Sequence, residues 1–218
     1  MDKIFTKNIE HESAVKHVTG KAIYTDDISE PKNLLHAVIG YSNCSKGVIK
    51  KIDYKDVLSS EGVVDIITEK DIEGINDVGP IFKGDKIFTS KNIEYYGQPI
   101  FAVIAKTNNL AKKAALKVKI DLKISKPIVS IEEALKKKSF VLKPKHLTRG
   151  NIKDGFKKSD NILKGKLYSG GQDHFYLEGQ IAMTIPQEDN NFLVYSSTQH
   201  PSETQQIIGK VLKQNYNS

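Results

Sequence analysis

The segment densest in reactive groups is Ser169-Gly170-Gly171-Gln172-Asp173-His174-Phe175-Tyr176-Leu177-Glu178-Gly179-Gln180, with three glycines, two amides, two acids, an imidazole and two aromatics. A Gly-Gly pair opens backbone conformations closed to other residues and lets a ligand approach the main chain closely. Gln172, directly after the pair, carries one acceptor and two donors on one side chain. On local chemistry alone, Gly170-Gly171 also reads as a turn between two strands. Asp173, His174 and Glu178 have the types of a metal or acid–base cluster, but their spacing does not support one. In a strand Asp173 and His174 point to opposite faces, and no second His or Cys lies close in sequence. Structural hydrogen bonding is the better assignment for these three, and core packing for Phe175 and Tyr176. Cys44 has no neighbour in sequence to activate its thiol, so it reads as a plain thiol. A second polar step, Ser196-Ser197-Thr198-Gln199-His200-Pro201, lies further on. Taken by itself, Gln199 there is a strand-end hydrogen-bonding group.

The elements that must position these groups follow from periodicity and capping. Residues 1–11 show no periodicity and read as an extended arm or a disordered start. Leu34–Tyr41 and Val48–Ile52 are expected strands. Asp53 is placed to cap a short helix over Lys55–Ser59, which Gly62 ends. Val63–Thr68 is a compact β-branched run typical of a buried strand, and Ile75–Asp85, rich in Gly, Asp and Asn, a surface loop. Gly97–Ala105 is the most apolar strand of the first half. Thr107 or Asn108 caps a helix running to about Val118, with Leu110, Ala114 and Val118 on one face. Val118–Ile124 alternates like a strand. Ser130 caps a helix to Lys138 with Glu133 in the capping-box place. Ser139–Asp154 has little periodicity and reads as a crossing between domains. Beyond it come strands at Asn161–Tyr168, Gln180–Ile185 and Phe192–Ser197, the last two joined by a polar turn at Gln187–Asn191. A helix follows, with Pro201 in its first turn and an apolar face of Ile207, Ile208, Val211 and Leu212. Strands interleaved with helices up to about residue 124 make the fold class α+β or α/β.

Bulk properties narrow the function. The 218 residues, 39% hydrophobic and 27% charged, suit a globular protein of one or two domains. No apolar run approaches the roughly 20 residues that span a bilayer, and the N-terminus has no apolar signal core. One cysteine excludes an internal disulfide framework, and a cytoplasmic location is the default. The net charge is +7, yet of 33 basic residues only Arg149 is arginine. Bidentate phosphate and guanine contacts favour the guanidinium fork. Lysines spread over helices and strands therefore read as a solvated surface and not as a nucleic-acid patch.

Gly170–Glu178, Gly-Gly-Gln-Asp-His-Phe-Tyr-Leu-Glu, resembles the segment that opens the molybdenum-cofactor domain of the xanthine dehydrogenase and aldehyde oxidase family, with Asp173 where the family more often has glutamate. Ser196–Pro201 resembles the family's Ser-Thr-Gln step. His17-Val18-Thr19-Gly20-Lys21-Ala22-Ile23-Tyr24-Thr25-Asp26-Asp27-Ile28 resembles the entry into its α/β hammerhead domain, and Gly97–Ala105 a central hammerhead strand. The resemblance keeps the family's order and runs from about Glu12 onward. It implies an α+β fold: a hammerhead domain over 12–124, a linker over 125–154, and over 155–218 the truncated start of a molybdenum-cofactor-binding domain.

It also implies a function. Gln199 would hydrogen-bond an oxygen ligand of the molybdenum, while Gln172 and Gly171 would contact or shape the molybdopterin site. An amide suits that place because it donates without charge, where a carboxylate would repel an oxo group or compete for the metal. The family's glutamate base and its Gly-Gly-Gly-Phe-Gly-Gly loop follow the Ser-Thr-Gln step, so both are expected beyond Ser218, and the chain by itself should not turn over. No catalytic residue is assigned within it. Iron–sulfur clusters and FAD would sit on other domains or subunits, which with the remaining molybdenum-domain polypeptide would be the partners. The implied reaction is oxidation of hypoxanthine- or xanthine-type purines, since Gly170–Glu178 looks closest to the purine branch. The competing expectation is a non-catalytic hammerhead module that binds a partner subunit.

Overall fold

The run Pro99-Ile100-Phe101-Ala102-Val103-Ile104-Ala105 has no polar side chain, so it is stable only as a strand covered on both faces. The computed structural model, which describes residues 10–216, places it there. In chain order its first part carries α1 (Ala14–Val18), a 3₁₀ turn (Thr25–Asp27), β1 (His36–Tyr41), β2 (Gly47–Asp53), α2 (Lys55–Leu58), β3 (Val63–Ile67), β4 (Asn92–Ile93), β5 (Pro99–Ala105), α3 (Asn108–Ala115) and β6 (Lys119–Ile124). Next come α4 (Ile131–Lys137) and α5 (Ile152–Lys157), and then β7 (Ala182–Pro186), β8 (Phe192–Ser196) and α6 (Pro201–Leu212). The described residues divide into two compact units, one of residues up to 125 together with 177 onward, the other 126–176. Of the expected arm over 1–11, residues 1–9 lie outside the described residues.

In the first unit β5 is the middle strand of the sheet β1-β5-β3, antiparallel to both neighbours. A second sheet, β4-β2-β6, is antiparallel as well. Both sheets and α3 feed one apolar cluster that includes Ile49, Val57, Ile93, Phe101, Val103, Ala111 and Ala114. Phe101 is fully buried and meets Tyr54 edge-on, ring centroids 5.2 Å apart, and burial together with the Asp71 carboxylate pushes the Tyr54 phenol up to about 12. The ring of Phe101 occupies the space a side chain at residue 40 would need: a Cβ on Gly40 would stand 2.2 Å from its Cζ. Before β5, Gly97 takes the left-handed conformation with φ 80°. That turn directs Gln98 inward, where its Oε1 accepts the Glu94 N–H at 2.8 Å and its own N–H donates to Ser42 Oγ at 3.1 Å.

Local signals set several boundaries. Thr107 Oγ1 accepts the Leu110 N–H, starting α3. Asp53 Oδ1 accepts the Lys55 N–H ahead of α2. In the second unit Ser130 Oγ accepts the Glu133 N–H, and Lys137 pairs with Glu133 at 2.6 Å, so α4 starts and stays where the capping pattern predicts.

Five sequence expectations need correction. Phe175 and Tyr176 are not core residues but 94% and 56% exposed. Asn161–Tyr168 is not a strand: its alternation is present, but no described segment pairs with it, and a strand exists only as part of a ladder. Val63–Ile67 is an edge strand and not a buried one, with Val64 52% and Ile67 38% exposed, because only β5 pairs with it. Helix α3 ends at Ala115, and its buried positions are Ala111 and Ala114, while Val118 lies beyond it. The crossing over Ser139–Asp154 is not all irregular, since Asn151 Oδ1 accepts the N–H groups of Lys153 and Asp154 and opens α5.

Two predictions follow. Gly40→Ala drives a methyl into the buried Phe101 ring and should lower stability by about 1–3 kcal/mol, the usual cost of overpacking, measured by denaturant unfolding; an unchanged midpoint would refute the close packing. Lys119, 2.6 Å from Asp56, holds the Asp56 carboxyl below the usual carboxylate range through a hydrogen bond and its charge. The stabilisation is therefore complete above the unfolded carboxylate value and is lost as pH falls through the lowered folded value. Asp56→Asn should melt below the parent at pH 7, with the difference shrinking below about pH 4 and in high salt. A difference independent of pH would rule the ion pair out as its source.

Candidate functional site

The Ser-Ser-Thr-Gln step is built from its own hydroxyls. β7 and β8 pair antiparallel from Ala182↔Ser196 to Pro186↔Phe192, and Ser197 continues the pairing after β8 ends. Its N–H donates to the Ile181 carbonyl at 3.1 Å, and its Oγ accepts the Ile181 N–H at 3.0 Å. Thr198 turns the chain: its Oγ1 accepts the His200 N–H at 3.1 Å. Thr204 then donates its N–H to the His200 carbonyl at 2.9 Å, closing the first turn of α6, and its hydroxyl lies 3.1 Å from that of Thr198. Pro201 occupies the first helical position, where its missing N–H costs nothing.

Gln199 stands at the apex of this turn. It is exposed, and its amide has no hydrogen bond to any described residue. It lines a shallow cleft of about 570 Å³ in the first unit with Pro80, Ile81, His200, Glu203 and Gln206. The sequence places Thr198 or His200 ahead of the helix-starting Pro201 but gives Ser197 no role of its own. The available signal was the run of hydroxyl residues between an apolar strand and a helix-starting proline.

The second polar segment is tied down at its end. Glu178 Oε1 accepts the Thr25 N–H at 3.0 Å, at the start of the 3₁₀ turn Thr25–Asp27, where Tyr24 N–H donates to Asp27 Oδ2. Two segments 153 residues apart in sequence thus meet in the first unit, and Glu178 has the structural role expected of it. Gln172 and Gly171 belong to the second unit and are exposed. Neither Gly170 nor Gly171 is in the left-handed region; that conformation falls on Phe175, with φ 48°. A Cβ added at Gly171 would meet nothing within 4 Å, so the main chain there is open. Asp173 and His174 are exposed as well.

Among the described residues no group of three or more His, Cys, Asp or Glu side chains is arranged to hold a metal ion. The donors on offer are instead neutral: in the first unit the uncommitted amide of Gln199 and, in the second unit taken by itself, the exposed amide of Gln172 and open backbone at Gly171. Neutral donors of this kind suit a group that brings its own metal ligands and would be held through hydrogen bonds to its oxygens. At Gln199, α6 adds the partial positive charge of its N-terminus beside the amide.

Among the described residues no helix is long and apolar enough to cross a membrane. A family model described as aldehyde oxidase and xanthine dehydrogenase, a/b hammerhead domain, matches residues 19–126, and one described as molybdopterin cofactor-binding domain matches 133–218. A xanthine dehydrogenase of Dictyostelium discoideum is 38% identical over 207 residues, 95% of this chain and 15% of that protein. An aldehyde oxidase 2 of Rattus norvegicus is 37% identical over 206 residues, 94% of this chain and 15% of that protein. The chain thus spans about 15% of the length of the curated relatives it matches. The solved structure of the aldehyde oxidoreductase from Desulfovibrio gigas matches with a TM-score of 0.81 at 25% identity, over 94% of this chain and 25% of that one. The chain belongs to the xanthine dehydrogenase and aldehyde oxidase family, with residues of both its α/β hammerhead domain and its molybdopterin cofactor-binding domain.

Proposed function

We propose that this chain is part of a molybdenum hydroxylase of the xanthine dehydrogenase type, oxidising hypoxanthine- or xanthine-type purines with a molybdenum-molybdopterin cofactor. The observation that carries this reading is the uncommitted amide of Gln199 on a step where the hydroxyls of Ser197, Thr198 and Thr204 are engaged. When bound, the cofactor supplies the redox centre that takes electrons from the substrate. The chain's residues hold and orient it. Gln199 would donate an N–H to an oxygen on the metal, Gln172 would offer donors and an acceptor, and Gly171, without a side chain, would let the cofactor reach the backbone. Iron–sulfur clusters and FAD on other domains or subunits carry the electrons away, and those parts, with further molybdenum-domain polypeptide, are the partners. A cytoplasmic location belongs to the same reading.

In the complete enzyme Gln199→Glu replaces a neutral donor by a charged acceptor facing an electron-rich oxygen. Turnover per bound molybdenum should fall at least tenfold, by the scale of one lost directed donor, and cofactor occupancy should fall with it. Gln199→Ala should reduce turnover with less effect on occupancy. Normal turnover per molybdenum in Gln199→Glu, beside a lowered melting temperature, would leave Gln199 a structural residue. Assays with xanthine and with an aldehyde on the same preparation test the substrate class: preference for the aldehyde overturns the purine assignment.

The domain division is part of the proposal: 12–124 folds as a hammerhead, 125–154 links, and 155–218 belongs to the cofactor domain. Limited proteolysis should then cut first within 139–154 and leave a stable N-terminal fragment. First cleavage inside β5 would disprove it.

A further inference from the structure

Helix α6 begins at the Gln199 step and runs for 12 residues, about 18 Å. Its far end is held by a loop more than a hundred residues earlier in the chain. The last carbonyls of a helix lack intrahelical partners. In α6 the Gln214 N–H caps the Gly209 carbonyl at 2.8 Å, but the next two are satisfied from outside the helix. Ile75 N–H donates to the Lys210 carbonyl at 3.1 Å, and Gly74 N–H donates to the Val211 carbonyl at 2.9 Å. This approach requires glycine for its size and not its conformation. A Cβ at Gly74 would stand 1.9 Å from the Lys210 carbonyl oxygen and 2.6 Å from that of Val211, while Gly74 is not in the left-handed region.

The loop is itself fixed. Asn76 grips the main chain of Phe88 at both ends, Nδ2 donating to its carbonyl at 2.8 Å and Oδ1 accepting its N–H at 3.0 Å. Thr89, the next residue, donates its N–H to the Pro99 carbonyl at the start of β5. A continuous set of directional bonds therefore runs from the central strand through Phe88, Asn76 and Gly74 to the C-terminal turn of α6. We propose that Gly74 is a positioning residue for Gln199: its contact with α6 sets the helix against the hammerhead and so sets the step at the helix's other end. The inference rests on the role proposed above for the Gln199 amide.

Hydrogen exchange on the full 218-residue chain, parent against Gly74→Ala, tests the mechanical part. Amides of the last turn of α6 should exchange roughly tenfold faster, as expected when a capping hydrogen bond is lost. Exchange over 198–204 should also rise, with β5 unchanged. Faster exchange confined to 209–213 would make Gly74 a local cap and overturn the proposal, as would no change in either region. Should Gly74→Ala fail to fold, Asn76→Ala releases the loop without adding bulk and should give the same pattern. In the complete enzyme Gly74→Ala should lower turnover per molybdenum, with no further loss when added to Gln199→Ala; additive losses would show action by another route and overturn the proposal. If 198–204 loosens while Gln199→Ala leaves turnover per molybdenum intact, the helix clamp stands and the role given to Gln199 falls.

Discussion

The close approach of Phe101 to Gly40 is the constraint from which the hammerhead unit is assembled. Because residue 40 has no side chain, the fully buried ring can lie against β1 while its own strand stays paired with both β1 and β3. A register shift in the β1–β5 ladder falls between Gly40 and Tyr41, beside this contact. Tyr54 then packs edge-on against the ring and carries the contact to the end of β2, so the two sheets share one core. A larger residue at 40 would have to displace a ring that has nowhere to go, since interiors are packed without spare volume.

Two glutamines show how the same side chain serves opposite ends. Gln98 is buried, its side-chain Oε1 accepts the Glu94 N–H and its own backbone N–H donates to Ser42 Oγ, so its acceptor is used in shaping the entry to β5. Gln199 also lies at a strand boundary, yet Ser197 and Thr198 meet the backbone's needs around it and its amide is left over. Residue type separates neither case; the competition among neighbouring hydrogen-bonding groups does. A polar group becomes available for a ligand when nearby side chains have already satisfied the main chain.

The same distinction explains what could be read from sequence. The apolar run at β5, the Thr107 and Ser130 caps, and the β7–β8 pair with its polar turn depend on residues within a few positions of one another, and they were anticipated closely. Asn161–Tyr168 has the alternation of a strand, but pairing is a property of two segments and only one was in view. Val63–Ile67 has the composition of a buried strand, and only the sheet order reveals it as an edge. The Glu178–Thr25 bond spans 153 positions, beyond any periodicity argument; resemblance flagged both segments without showing that they touch. In the Gly-Gly-Gln segment the glycines were expected to supply unusual backbone angles. Instead Phe175 takes the left-handed conformation, and the glycines contribute open space.

The surroundings of Gln199 bear on how the step would recognise its target. The chain carries 33 basic residues and a net charge of +7, so a cationic anion trap was within easy reach. Among the described residues lining the cleft beside Gln199 there is nevertheless no lysine or arginine, and the charged one is Glu203, in the first turn of α6. A lysine would attract any anion from any direction, as a mobile point charge does. An amide at a fixed turn, beside a helix N-terminus whose partial positive charge Glu203 partly offsets, attracts weakly but along one line. In the role proposed for Gln199, the step would supply orientation more than affinity. A large cofactor needs that from a residue facing its metal end, since its many other contacts can supply the binding energy.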